Sequence, residues 1–493
     1  MKLLRFLLLF ISVPVFAQQG GMWIPSLLDG MNETEMKNLG MKISAKDIYD
    51  VNKSSLKDAI VHFNGGCTSE FISDKGLLLT NHHCGYSQIQ NLSSLENDFL
   101  EKGFWAMKLN DELPNPGVTA TIIIKIEDVT DMILKGITSG TSETDRKSMI
   151  EKNISDINKT YKKETWQEVR IRAFYEGNQY MLFVVETFKD IRLVGAPPSS
   201  IGKFGSDTDN WVWPRHTGDF ALFRVYADKN NRPAEYSKDN VPFTPKHYLP
   251  ISLDGVAEGD FTLVFGFPGT TDEYLPAVAI DQIVHTLNPA RIAIRDQALA
   301  VMDKYMRADQ QIKIQYASKF ASIANYWKKW KGETLGLKKS NAIEIKRKQE
   351  QELVKQINSK GKQQEYGHLL PQFETYYSEI EPYAMAREYF QETVLRNVEL
   401  MKNAFQVYQL VNLYKSRGAQ SFKDRRDNLI NSMQGQYKNY SAKVDREIFE
   451  TLIALYAEKI PGQFKPDVLN RPDVAKLTQE VYANSGFTDF NSL

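Results

Sequence analysis

Cysteine is nearly missing: the 493 residues contain 2. That leaves room for one bridge and excludes a cysteine-rich metal centre. An excess of charge is missing too. Lys+Arg and Asp+Glu are both 61, for a formal net charge of +0. The balance excludes a nucleic-acid or membrane-surface partner held by bulk charge. No apolar run reaches transmembrane length; the run near the N-terminus, residues 6–13, is too short to span a bilayer. Low-complexity tracts are absent as well, whereas 23 Tyr, 26 Phe and 7 Trp supply ample core material. The length permits more than one core, since single cores stop growing near about 250–300 residues.

The N-terminus carries Met1-Lys2-Leu3-Leu4-Arg5, the apolar run, and then Val15-Phe16-Ala17. A basic start, a short apolar stretch and a small-x-small site predict a secretory signal peptide over 1–17, with Gln18 as first mature residue. Export predicts that Cys67 and Cys84 form one disulfide, contributing ~2–4 kcal/mol in the chain-entropy picture.

The texture changes along the chain. To about Leu275 it reads as strands. Thr68–Ser73 and Leu77–Thr80 flank Asp74-Lys75-Gly76 as a hairpin, and Thr119–Ile126, Tyr180–Phe188, Asp219–Tyr226 and Asp260–Phe267 read as further strands. Ser142–Lys163 reads as a helical surface insertion. From about Pro276 the pattern is helical. Ile312, Tyr316, Phe320, Ile323, Trp327 and Trp330 recur at three and four residues. Further helices are predicted at Ala342–Ile357, Leu369–Ser378, Ala384–Tyr414, Lys423–Gln434 and Asp445–Glu458. The predicted organisation is therefore a β domain over 18–275 followed by an α-helical domain over 276–493.

One stretch carries chemistry: Thr80-Asn81-His82-His83-Cys84-Gly85-Tyr86. A histidine beside a half-cystine, just after Leu77-Leu78-Leu79, predicts a general base at the end of a strand, fixed by a bridge to Cys67. His82 alternates to the opposite strand face and is the weaker candidate. The same alternation argues against a metal held by His82, His83 and Cys84. Asp219 leads into an apolar run and suits the carboxylate that orients an imidazole. Asp207 and Asp209 lie in a polar loop and are the rivals. His before Asp matches the chymotrypsin order, in which a serine comes last. No serine after Asp219 sits among the glycines that an oxyanion hole needs. Ser485 lies in Ala483-Asn484-Ser485-Gly486, which reads more simply as a helix C-terminus, while Ser139 and Ser206 precede Asp219.

On these motifs the chain resembles the bacterial dipeptidyl-peptidases seven and eleven. The resemblance runs through Gly65-Gly66-Cys67-Thr68, Thr80 to Tyr86, Pro197 to Gly205, Asp207-Thr208-Asp209-Asn210-Trp211, Trp213 to Asp219 and Gly266 to Thr271. Its motifs read nearer the seven type. It implies exported serine exopeptidases with a chymotrypsin-like double β-barrel, incomplete here, and a large inserted α-helical cap. It implies His83 as base and Asp219 as its orienting carboxylate. Asn210, Trp211 and Asn325 then hold the free amino terminus of a peptide substrate. No cofactor or metal is implied, and neither a nucleic-acid partner nor a membrane span. A homodimer is implied, in the periplasm or at the cell surface of a Gram-negative bacterium. Family members are longer and carry the nucleophilic serine in a Gly-Asn-Ser-Gly-Ser-Pro segment that this sequence lacks. The expectation is therefore a chain that stops within the helical insertion and is inactive alone. The competing reading is a non-catalytic secreted peptide-binding paralogue; an endopeptidase with an open cleft is the third.

Overall fold

A computed structural model describes residues 23–206, 208, 210–269, 272, 274–470 and 473–492. The predicted signal peptide, Asp207, Asp209 and Thr270-Thr271 lie outside the described residues. The strands, in chain order, are β1 (Ile60–Phe63), β2 (Cys67–Phe71), β3 (Leu77–Thr80), β4 (Phe104–Trp105), β5 (Leu113–Pro114), β6 (Ala120–Asp128), β7 (Gln167–Phe174), β8 (Gln179–Phe188), β9 (Asp190–Ala196), β10 (Ala221–Ala227) and β11 (Val241–Pro242). The fold is mixed α and β.

The chain divides into two units, neither continuous in sequence. The first gathers the described residues up to Leu79 with Pro116–Ile191 and Arg224–Gly269. Its strands follow the order β3-β2-β1-β6-β8-β7, and the β1–β2, β1–β6, β6–β8 and β7–β8 pairs are antiparallel. The register of β6 on β8 shifts between Ile123 and Lys125, a bulge that bends the strand locally. The expected insertion is the helix Glu143–Thr160, capped by Ser142, whose hydroxyl accepts from the Asp145 N–H. Its Ile157 packs with Val129 and Ile133, just after β6, and with Tyr180, Leu182 and Val184 of β8.

One expected strand of this unit is not formed: 260–267 has no regular strand. Phe261 and Phe265, four residues apart, both pack on the cluster of Leu28, Met36, Met41, Ala45 and Ile48. Strict alternation would bring residue 263 to that side as well, yet Leu263 is exposed. The Phe267 N–H donates to Thr68 Oγ1 at 2.8 Å, a side-chain bond in place of a ladder bond.

The second unit comprises Thr80–Asn115, Arg192–Phe223 and the described residues from 272 onward. Here β4 and β5 pair with β9 at Trp105↔Gly195 and Leu113↔Leu193. A Cβ on Gly195 would lie 2.4 Å from the Trp105 ring, so the indole needs a glycine there. The rest is helical. The stripe from Ile312 to Trp330 lies in one helix, Gln310–Lys339, beside Asn288–Ala308, which continues Ala277–Gln282 through a π turn, Ile283–Leu287, just ahead of Pro289. Ile294, Ala298, Met302, Tyr316, Ile323, Val444, Ile448 and Leu452 form the core between helices.

The predicted helix Ala384–Tyr414 is instead broken. Leu369–Phe390 passes into a π turn, Gln391–Asn397, then Val398 is extended and a new helical stretch runs Glu399–Lys438, kinked at Gly418, where φ is +79°. The cause is polar and distant in sequence. Arg295 grips Glu392 at 2.7 and 3.1 Å, and the Asn397 side chain donates to the Glu392 carbonyl at 2.6 Å. Asp445 then accepts the Glu399 and Leu400 N–H groups at 2.7 and 3.0 Å, capping the new helix from another element.

Candidate functional site

His83 does not end a strand. β3 stops at Thr80, Asn81 is extended, and the helix His82–Leu92 begins at once. His83 thus occupies the first helical turn, where backbone N–H groups have no intrahelical partner. The Asn81 side chain makes no capping bond to this helix. The Asp219 carboxylate takes that place: one oxygen accepts the His83 N–H at 3.0 Å, the other meets His83 Nδ1 at 2.7 Å. Asn81 Nδ2 donates to the Asp219 carbonyl at 3.2 Å and to its carboxylate at 3.4 Å.

Asp219 is therefore both a helix cap and the imidazole's partner. Burial pushes its carboxyl up, but the bond and charge of His83, the His83 N–H and the Arg215 charge outweigh it and hold the group below its ordinary value. The carboxylate stays ionised and stands 2.7 Å from Nδ1, where it orients the ring and leaves Nε2 facing away from it. The His83 side chain is 68% exposed against 16% for Asp219, so the imidazole edge is accessible while its support is not.

His82, expected on the opposite face of a strand, is instead buried in the first turn of the helix. A Cβ on Gly202 would sit 2.4 Å from its ring, so the turn Ser199–Gly202 lies flat against it. Burial holds its imidazole below the ordinary value. Gly218 returns the chain by donating its N–H to the Ile201 carbonyl at 3.0 Å. A single loop, 199–219, thus starts on His82 and ends on His83.

That loop also carries Asn210 and Trp211, which meet Asn325 of the long helix. Asn325, midway along Gln310–Lys339, accepts with Oδ1 from Asn210 Nδ2 at 2.9 Å and from Trp211 Nε1 at 3.1 Å. Trp211 has φ +61°, a left-handed conformation that a bulky residue rarely adopts, so the indole is held at a local conformational cost. Lys328 Nζ, three residues past Asn325, donates to the Thr208 carbonyl at 3.2 Å. The His83 helix is tied to the same long helix. Gln90 donates to the Gln315 carbonyl at 2.8 Å and accepts from the Ser318 N–H at 3.0 Å.

Three contributors were not singled out by sequence: Asn81, Gln90 and Arg215. Arg215 Nη1 donates to Asn210 Oδ1 at 3.2 Å and its Nε to Thr217 Oγ1 at 3.1 Å. Only proximity in the motifs could have hinted at Asn81 and Arg215. Both cysteines are disulfide-bonded. Of the serines weighed, Ser485 caps the turn after Val474–Asn484, its hydroxyl accepting the Phe487 N–H at 3.1 Å. Among the described residues no serine hydroxyl is hydrogen-bonded to His83.

A family described as Peptidase S46 matches residues 17–493. The Asp/Glu-specific dipeptidyl-peptidase of Flavobacterium psychrophilum is 59% identical over 490 residues, covering 99% of this chain and 69% of that protein. Dipeptidyl-peptidase 7 of Capnocytophaga gingivalis is 36% identical, covering 97% and 68%. That ordering corrects the leaning toward the seven type. The crystal structure of Porphyromonas endodontalis DPP11 in complex with the dipeptide Arg-Glu superposes with a TM-score of 0.81 at 37% identity, covering 96% of this chain and 69% of that one.

Proposed function

The chain belongs to the peptidase S46 family and is a hydrolase of the dipeptidyl-peptidase kind; from that premise we propose that His83 and Asp219 drive acyl transfer on peptides with a free amino terminus. A serine hydroxyl attacks the carbonyl of the second residue while His83 Nε2 takes its proton. The imidazolium, steadied by Asp219, then returns that proton to the leaving amine, and water hydrolyses the acyl-enzyme by the same base. The observation that carries this reading is the double contact of Asp219 with His83, on Nδ1 and on the backbone N–H. The attacking hydroxyl, in this proposal, belongs to the part of the relatives' length that these residues do not span, where the closing strands of a chymotrypsin-like double barrel are also expected.

Asn210, Trp211 and Asn325 form the clamp that receives the substrate's ammonium and sets the cut two residues in. The 59% and 58% identity to Asp/Glu-specific relatives supports an acidic second residue. Export, with Gln18 as first mature residue, completes the proposal.

Fluorophosphonate labelling of the protein as isolated from the cells that make it, followed by peptide mapping, tests the mechanism. Label on a peptide outside these residues, lost in His83→Ala, is expected. Label on Ser485, or on any other serine of this chain, sinks the serine assignment. Undiminished label in His83→Ala sinks the base.

A further inference from the structure

Directly before the base stands a second histidine that the proposed chemistry does not use. His82 is 1% exposed, and neither ring nitrogen has a hydrogen-bond partner among the described residues. A buried polar group in that position calls for a reason. Burial outweighs the pull of Asp219 and of the Pro197 carbonyl and holds the imidazole below its ordinary value, so near pH 7 the ring is uncharged. It then acts by shape. Tyr86, one turn on in the same helix, meets the ring edge-on with centroids 5.5 Å apart. The Ser199–Gly202 turn meets it as well: a Cβ on Gly202 would stand 2.4 Å from the imidazole Cγ and Cδ2.

The same turn holds the residue before Asp219. The Ile201 carbonyl accepts the Gly218 N–H at 3.0 Å, and a Cβ on Gly218 would come within 2.8 Å of Ile201 Cγ2. Gly202 and Gly218 thus let the His82 ring, the turn and the backbone that delivers Asp219 stack with no side chain between them. Asp219 then closes on His83, the neighbour of His82.

We propose that His82 is a positioning residue: its buried ring is the spacer that sets the Ser199–Gly202 turn and, through the Ile201–Gly218 contact, sets Asp219 against His83. The proposal rests on His83 and Asp219 acting as base and orienting carboxylate. A spacer works by its thickness, and a close-packed interior transmits strain. A methyl inserted between ring and turn should displace the turn by roughly 1 Å, a misplacement that can cost about 10²-fold in rate.

The test is steady-state kinetics on the enzyme as isolated from the cells that make it, with a free-amine dipeptidyl substrate. Gly202→Ala should lower kcat by about 10²-fold, with KM within about threefold of the parent. Adding His82→Ala removes the ring that the methyl strikes, and kcat should recover by about tenfold or more. On the Asp219→Asn background Gly202→Ala should change kcat by less than about threefold, because the contact it disturbs is already lost. A parental kcat in Gly202→Ala overturns the proposal. So does a double variant no better than Gly202→Ala, or a loss carried by KM alone. A loss that persists in full on the Asp219→Asn background also overturns it, since that reports general support of the fold and not the setting of Asp219. Should Gly202→Ala not fold, His82→Ala takes its place. A kcat loss that vanishes on the Asp219→Asn background then upholds the proposal, and no loss, or an equal loss on both backgrounds, overturns it. His83→Ala separates the two readings. If it keeps parental turnover, the base reading fails. If it abolishes turnover while the Gly202→Ala loss is the same on both backgrounds, the role of His82 alone fails.

Discussion

At the scale of the residue, Asp219 holds two geometries together. It caps the first turn of the His82–Leu92 helix and grips His83 Nδ1 at 2.7 Å. A helix N-terminus favours a carboxylate through its unpaired N–H groups and dipole, which reinforces the ionised form. Asp219→Asn should keep most of the cap, because the amide oxygen can still accept the His83 N–H. It can also offer NH2 to Nδ1 and so stabilise the wrong tautomer. Turnover of a dipeptidyl substrate should fall by roughly 10⁴-fold with little change in melting temperature. A loss under tenfold would show that the imidazole does not need this partner.

At the scale of the element, the site depends on a helix whose partners are buried ion pairs. Arg295 and Glu392 are each 4% exposed, and Arg295 also donates to the Ile323 carbonyl at 3.0 Å, two residues before Asn325. The Arg295 guanidinium lies 4.6 Å from the Trp330 ring centre, which adds a cation–π contact. The pair holds the π turn Gln391–Asn397 to the helices Asn288–Ala308 and Gln310–Lys339. Arg295→Met leaves the buried carboxylate only the exposed Arg396 as a charged partner, at 3.6 Å, and should cost ~3 kcal/mol in denaturant unfolding. Arg295→Met with Glu392→Leu should cost distinctly less, because no charge is left unpaired. Equal losses in the single and double variants would mean that packing, not the stranded charge, dominates.

At the scale of the whole molecule, stability carries a signature from Asp445. Burial and the Glu399 charge push its carboxyl up to about 6, against hydrogen bonds from Tyr482 and two backbone N–H groups that pull it down. Its folded value lies above the ordinary carboxylate value. The folded state therefore keeps a proton that the unfolded chain releases, and this group's contribution falls as pH rises from roughly 4 to about 6. The melting-temperature advantage of the parent over Asp445→Asn should shrink across that window and then stay level. An advantage that grows with pH would reverse the sign and mean that Asp445 is ionised at a low pH in the fold.

Local patterns were enough for much of this. Three- and four-residue spacing marked Gln310–Lys339, β-branched and aromatic runs marked β6 and β8, and the charged stretch from Ser142 marked the inserted helix. The residues themselves singled out His83 and Asp219, and the family resemblance added Asn210, Trp211 and Asn325; the fold joins their side chains into two hydrogen-bonded groups. These features were legible because apolar periodicity and chemical type are written residue by residue. The tertiary structure alone decided that His83 begins a helix, since the cap comes from Asp219, 136 residues away. It alone broke the helix after Phe390, through Glu392 and Asp445, and it left residues 260–267 without a strand. It alone gave Arg215, Asn81 and Gln90 their partners. The physical reason is common to all of them. A backbone N–H, a buried carboxylate or an amide takes its conformation from whatever polar group stands opposite, and sequence spacing does not name that group.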